Sequence, residues 1–184
     1  MTLTEQQLKG IMPNAPTTRV RKYLPYLNQA MEEFGIAQSK KRMAHFLAQV
    51  AHESGEMRYV KELASGKSYE GRKDLGNTVS GYGVKYKGRG FLQLTGYNNY
   101  KAYKTYCGYD VVNWPELLES PKGATRSAGW VFTRGMGVNL CLYADLDNGV
   151  NTEDVLRNIT KRINGGYNGL DSRRKYLERA VSAL

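Results

Sequence analysis

Glu53 sits in the most chemically suggestive surroundings of the chain. It follows His52 at the end of an apolar helical stretch and precedes Ser54-Gly55. A carboxyl there is partly desolvated, and the negative end of the helix dipole also disfavours its ionised form. Those are the conditions a general acid needs near neutral pH. A partner carboxylate, to act as general base, is available at Glu62, with Glu56 and Glu70 as competing candidates. On one continuous helix the step from Glu53 to Glu62 would put the two on opposite sides, about 13 Å apart. They can face each other only if the chain turns back near Ser54-Gly55, which those residues permit. A separation of roughly 6.5–9.5 Å would leave room for a water, the geometry of an inverting glycosidase.

Other constellations are weaker. His45 and His52 lie on one side of the same helix but two turns apart, too far for a shared metal. The zincin spacing is absent because His52-Glu53 runs into Ser54-Gly55-Glu56. His45 reads as a core histidine, and no metal or cofactor is expected. Gly88-Arg89-Gly90 is only a fragment of a phosphate-binding loop, and no Gly-x-Ser-x-Gly elbow occurs. Tyr59, Tyr69, Tyr82, Tyr86, Tyr97 and Tyr100 crowd the central region, and aromatic faces with a polar tip suit sugar rings.

The elements that must position these groups are mostly helices. Residues 3–12 form a short helix that Pro13 and Pro16 end. Val20, Leu24, Leu27, Met31 and Phe34 mark a second from about 17 to 34, with a kink or a break into two helices at Pro25. The third is the clearest: Ser39 is its N-cap, Met43, Phe46, Leu47 and Val50 its apolar stripe, and Gly55 its stop. Residues 64–90 are glycine-rich loop or short strand, and Phe91–Thr95 alternates like a strand. Helical patterns resume near 97–106, 114–119, 122–134, 152–163 and 171–183.

Composition narrows the class. With 184 residues and 41% apolar content, the chain can bury a substantial core. It has no repeat or linker and reads as one domain over 1–184. No apolar run approaches the ~20 residues of a membrane span, and MTLTEQQLKG carries no signal-peptide pattern. Cys107 and Cys141 are expected as reduced thiols. A net charge of +10 points to an anionic partner. Nucleic acid is disfavoured, because no helix-turn-helix, zinc-finger or RNP-like pattern is present.

Three ordered motifs carry a family likeness. They are Ala51-His52-Glu53-Ser54-Gly55, the run from Tyr86 to Tyr100 (YKGRGFLQLTGYNNY), and Ile163-Asn164-Gly165-Gly166-Tyr167-Asn168-Gly169. Together they resemble glycoside hydrolase family 19, and within it the bacteriophage endolysin branch, from about Pro16 to the end of the chain. The resemblance implies a mainly α, lysozyme-like fold of two lobes, with a small glycine-rich loop or β segment near the cleft. It implies inverting hydrolysis of a β-1,4 bond in an amino-sugar polymer. Glu53 then matches the general acid, Glu62 the base, and Thr95 the hydroxyl that helps hold the attacking water. Gln93, Asn99 and Asn164 match positions lining the sugar cleft, His52 is a further cleft residue, and Arg173 matches a supporting arginine.

The chain also departs from the pattern. Plant chitinase-like members usually carry a glutamate shortly after Asn-Gly-Gly, where this chain has Asn168, and region 63–81 is short. These departures favour the wall-lytic branch. The expected substrate is the peptidoglycan glycan strand, cut between N-acetylmuramic acid and N-acetylglucosamine by a monomer drawn to the anionic envelope. The likeness further implies accumulation in a host cytoplasm and release through a holin-type pore. A chitinase on the same fold, a lytic transglycosylase needing one acid, and a basic nucleic-acid-binding domain are the alternatives.

Overall fold

The computed structural model describes residues 1–184 and is 62% helical, with almost no strand. Nine α-helices follow in order: α1 (Glu5–Ile11), α2 (Thr17–Glu33), α3 (Lys40–Glu53), α4 (Tyr82–Lys85), α5 (Tyr97–Cys107), α6 (Pro121–Trp130), α7 (Leu140–Asp145), α8 (Thr152–Asn164) and α9 (Leu170–Ala183). Short 3-10 turns at Ile36–Gln38, Lys67–Tyr69, Lys73–Leu75 and Pro115–Glu119 fill the connections, and a π-helical turn, Val131–Gly135, extends α6.

Local chemistry sets the helix starts. Thr4 and Gln7 form a reciprocal capping box on α1. Ser39 Oγ accepts the Arg42 N–H at 3.2 Å and caps α3. Every residue of α3 from Met43 to Ala51 is buried, so the helix is enclosed on all sides rather than along one stripe. Its main neighbour is α9; α2 packs on α6, and α1 on α9. One apolar cluster runs through all of these, from Leu3 and Leu8 through Phe46 and Phe132 to Phe91, Tyr100 and Leu177. No helix is long and apolar enough to cross a membrane.

Several sequence expectations change. Pro25 does not divide α2, which continues from Thr17 to Glu33. Pro25 is exposed, so the carbonyl it leaves unpaired can face water. Phe91–Thr95 is not a strand. Gln93 takes a left-handed φ of 57°, and Leu94 N–H returns to Arg89 O at 2.8 Å, so the alternation is that of a tight turn. Only isolated bridges, Lys61 to Arg89 and Arg89 to Leu94, stand in for the small β element. Helices α4 and α7 were not anticipated, being too short for a periodic pattern. In the glycine-rich region the backbones of Gly66 and Gly83 touch. A Cβ on Gly83 would lie 2.5 Å from Glu70 N and 2.8 Å from Gly66 O, so no larger residue fits.

Buried polar pairs tie the helices together. His45 Nε2 lies 2.8 Å from Asp147 Oδ2, while its Nδ1 is buried without a partner. Burial pushes the His45 imidazole below its ordinary value, and the Asp147 carboxylate only partly opposes this. Burial also opposes ionisation of Asp147. Hydrogen bonds from Thr152, the Gly149 N–H and His45 outweigh it and hold the carboxyl below its usual range. The unfolded chain therefore protonates His45 near pH 6.5, while the folded chain resists it. Stability is fully present above pH 6.5 and declines as the pH falls below it, before Asp147 contributes its own loss below about pH 4. The urea midpoint is expected to drop between pH 7.5 and 5.5, and His45→Asn to flatten that slope. An unchanged slope in the variant would remove His45 from the account.

Candidate active site

Two clusters of polar side chains form around the ends of segment 53–62. The first stands where α3 meets α9. Arg173 is 1% exposed, a buried guanidinium that must have partners. Its Nη2 donates to Glu53 Oε1 at 2.5 Å, its Nε to the Asn168 carbonyl at 3.2 Å, and its Nη1 to Gln49 Oε1. Gln49 Nε2 then reaches Thr160 Oγ1 at 3.2 Å, so the chain of contacts links α8, α3 and α9. Glu53 keeps part of its side chain open, and no hydrogen bond engages its Oε2. The guanidinium puts a positive charge against Glu53, opposing the negative end of α3 that dominates the sequence reading.

His52 stands beside this group. Its Nδ1 lies 2.9 Å from Ser172 Oγ, and its ring rests on Gly169, where any Cβ would overlap it. Burial, and then the Arg173 charge, push the imidazole below its ordinary value, so it is neutral at pH 7. Asn164 Oδ1 accepts the Asn168 N–H at 3.2 Å and closes the turn that presents the Asn168 carbonyl to Arg173.

The second cluster surrounds Gly88. Its N–H donates to Glu62 Oε2 at 2.9 Å, and the Tyr69 hydroxyl donates to the same oxygen at 3.1 Å. Burial, with the Glu62 charge, pushes the Tyr69 phenol up, so it stays a donor. No hydrogen bond engages Glu62 Oε1, which leaves one oxygen to accept from a water. A Cβ on Gly88 would meet Glu62 Oε2 at 2.7 Å, Thr95 Oγ1 at 3.2 Å and the Gln93 amide oxygen, so three of the expected site residues converge on this one glycine. The Thr95 hydroxyl donates to Gln93 O at 2.8 Å and keeps its lone pairs free. Asn99 Nδ2 donates to Thr95 O at 2.8 Å and fixes the turn from below.

The turn after α3 routes the chain from the first cluster to the second. Gly55, Glu56 and Met57 all have positive φ, at 56°, 58° and 63°. For the two non-glycines this costs energy that the surroundings must offset. Glu56 supplies part of the hold. It is buried, and its Oε1 accepts from Asn14 Nδ2 at 3.0 Å and from the Tyr176 hydroxyl at 2.8 Å. Glu70 accepts the Gly81 and Val84 N–H groups at the start of α4. Both competing carboxylates are thus engaged in holding loops. Sequence reasoning missed Gln49 and Thr160, and it named Tyr69 as a tyrosine suited to sugar rings without its contact to Glu62. Gln49 carried a readable signal: a polar residue one turn before Glu53, inside an otherwise apolar helix.

This arrangement places one carboxyl at a helix end and one among hydroxyl and amide groups, on a lysozyme-like helical fold. No family model matches the chain. It is 28% identical to a glycosyl hydrolase family 19 domain-containing protein of Haemophilus influenzae, over 95% of this chain and 94% of that protein. It is 31% identical to an endochitinase of Arabidopsis thaliana, over 75% of this chain and 44% of that enzyme, and so spans less than half of the plant protein. The fold superposes on chitinase C from Streptomyces griseus with a TM-score of 0.71 at 22% identity, covering 98% of this chain and 75% of that one. It superposes on a bacterial family 19 chitinase, also with a TM-score of 0.71, at 23% identity, covering 100% and 95%. The protein is a glycoside hydrolase. Its sequence relatives support the chitinase-like glycoside hydrolase family 19, and its structural neighbours share the fold.

Gly88→Ala is expected to push Glu62, Gln93 and Thr95 apart while leaving the helical core alone. A displacement near 1 Å in a positioned group typically costs ~10²-fold in rate. Hydrolysis should fall by about that factor with little change in thermal midpoint. A fully active Gly88→Ala protein would show that the three side chains do not work together.

Proposed function

We propose that this enzyme hydrolyses the β-1,4 bond between N-acetylmuramic acid and N-acetylglucosamine in peptidoglycan, with inversion, in the manner of a phage endolysin. The observation that carries the reading is the convergence of Glu62, Gln93 and Thr95 on Gly88, at the far end of the turn that begins at Glu53. In this reading Glu53 gives its proton to the leaving glycosidic oxygen. Glu62, through its unengaged Oε1, takes a proton from a water held with the help of Thr95. The resulting hydroxide character attacks the anomeric carbon from the opposite face, and the glycosidic C–O bond breaks as the new one forms. Arg173 keeps Glu53 in place, and Gln93 with Asn99 shapes the sugar-facing turn.

Peptidoglycan is favoured over chitin by the +10 charge, which suits an anionic polymer, and by Asn168 in place of the glutamate that chitinase-like members usually carry. Each exposed charge contributes tenths of a kcal/mol, and salt screens it. Chitin is the second reading, because the plant relatives are named as chitinases.

Digestion of purified peptidoglycan, borohydride reduction and mass spectrometry will identify the new ends. Reduced N-acetylmuramic acid is expected, with the α-anomer formed first by proton NMR. New N-acetylglucosamine ends would make it a glucosaminidase, 1,6-anhydro ends a transglycosylase, and faster cleavage of chitin hexamer a chitinase. Glu53→Gln keeps the shape of the acid without its proton and should lose about 10²–10⁴-fold in rate with unchanged circular dichroism. More than a tenth of the wild-type rate would overturn the acid assignment.

Thr95 separates a hydroxyl role from a packing role. Thr95→Ser should keep most of the activity, whereas Thr95→Val, which keeps the shape, should lose much of it. The reverse ranking would make Thr95 a packing residue only.

A further inference from the structure

Away from the two carboxylates, where the end of α5 meets the start of α6, lies a cavity of about 190 Å³ that the hydrolytic reading does not use. Its walls are Tyr103, Tyr109, Val111, Leu117, Leu118 and the Cys107 thiol, mostly apolar. That volume exceeds the ~150 Å³ which, when dry and apolar, holds a benzene-sized group. A second observation is at its mouth. Tyr109 and Leu117, which line the cavity, are 50% and 42% exposed, and Trp114, in the same short segment, is 61% exposed. Backbone bonds from Trp114 N–H to Asp110 O, at 2.9 Å, and from Leu117 N–H to Trp114 O, at 3.1 Å, hold that segment as a turn. A buried apolar pocket that opens through an exposed apolar rim fits an elongated apolar ligand better than a compact one.

The charge at the mouth fixes the other end of the ligand. Arg126 also borders the cavity, but Glu33 holds it at 2.8 Å. Lys122 has no carboxylate partner. Its Nζ lies 5.6 Å from the centre of the Tyr109 ring and 3.4 Å from the Tyr109 hydroxyl, at the rim. We propose that this cavity binds the alkyl chain of an anionic amphiphile, with the chain end inside, its upper part along Tyr109 and Leu117, and the head group at Lys122. The same chemistry is offered by a free fatty acid and by the acyl chain of an anionic phospholipid. The site is separate from glycoside hydrolysis and does not depend on the identity of the glycan substrate.

Cys107 is a reporter built into the wall. It is half-buried and free, whereas Cys141 is fully buried. Alkylation of the intact protein by iodoacetamide, followed by peptide mass mapping, therefore reads access to the cavity. Octanoate is expected to slow alkylation of Cys107 severalfold, and butyrate, too short to fill the cavity, to leave it unchanged. Lys122→Gln should weaken octanoate about two- to fivefold, the size of an exposed ion pair, and leave 1-octanol unaffected. Leu117→Glu, at an exposed position, should abolish protection by both. A parallel arm with phosphatidylglycerol vesicles separates the sources: protection there assigns the site to membrane lipid, and protection by octanoate alone to a soluble fatty acid. No protection in either arm overturns the proposal. Equal protection by butyrate overturns it as well, since ionic strength would then be the cause. Unaltered octanoate binding in Lys122→Gln removes the head-group assignment.

Discussion

A single buried cation organises the junction of α3 and α9, where the candidate acid stands. Arg173 lies inside the protein, where an unpaired guanidinium would cost several kcal/mol. Three acceptors on different parts of the fold are therefore drawn to it: Gln49 on α3, the Asn168 carbonyl on the loop before α9, and Glu53 at the end of α3. Because the guanidinium is planar and its donors are fixed in direction, satisfying all three sets the position of α9 against α3. Glu53 is thus oriented by the packing of two helices rather than by its own rotamer preference. The neutral imidazole of His52 fits beside the same group without adding a second positive charge.

The other carboxylate is held by a different principle. Glu62 has no cation against it. One of its oxygens takes the Gly88 N–H and the Tyr69 hydroxyl, and the other remains free. These neutral donors orient the group and leave its other oxygen unengaged. Space is the controlling quantity here, since Gly88 is the only residue type that lets Glu62, Gln93 and Thr95 approach together. One end of the site is therefore organised by charge burial and the other by close approach of small backbone units. The left-handed turn at 55–57 joins them, and Glu56 holds that turn from beneath with Asn14 and Tyr176.

Much of this was legible in the sequence, and for identifiable reasons. The periodicity of Met43, Phe46, Leu47 and Val50 is a local property, as is the Ser39 cap, so α3 and the placement of Glu53 at its end could be read directly. The three motifs around His52-Glu53, Gly88–Thr95 and Asn164–Gly169 carried the family likeness because each is a contiguous string. What misled was pattern without context: Phe91–Thr95 alternates like a strand, yet Gln93 turns left-handed there because Arg89 and Leu94 pair across it. Pro25 reads as a kink or a break into two helices, and the break does not occur, because Pro25 faces solvent, where the lost hydrogen bond can be replaced by water.

By itself, then, the chain order determined the longer helices, the Ser39 cap, the glycine-rich connection and the candidate acid, since all of these rest on neighbours within a few residues. Only the tertiary structure shows that Glu56 lies buried beneath the 55–57 turn, that Glu70 holds the start of α4 through both its oxygens, and that Glu62 stands at Gly88 with Oε1 unengaged. Nothing within a few residues of each distinguishes them, whereas their partners, Tyr176, Gly88 and Gly81, lie 120, 26 and 11 positions away. It also decided that Arg173 and Gln49, 124 positions apart, should share one buried contact. Burial of a charge is settled by what the whole chain places around it, and no local pattern encodes that.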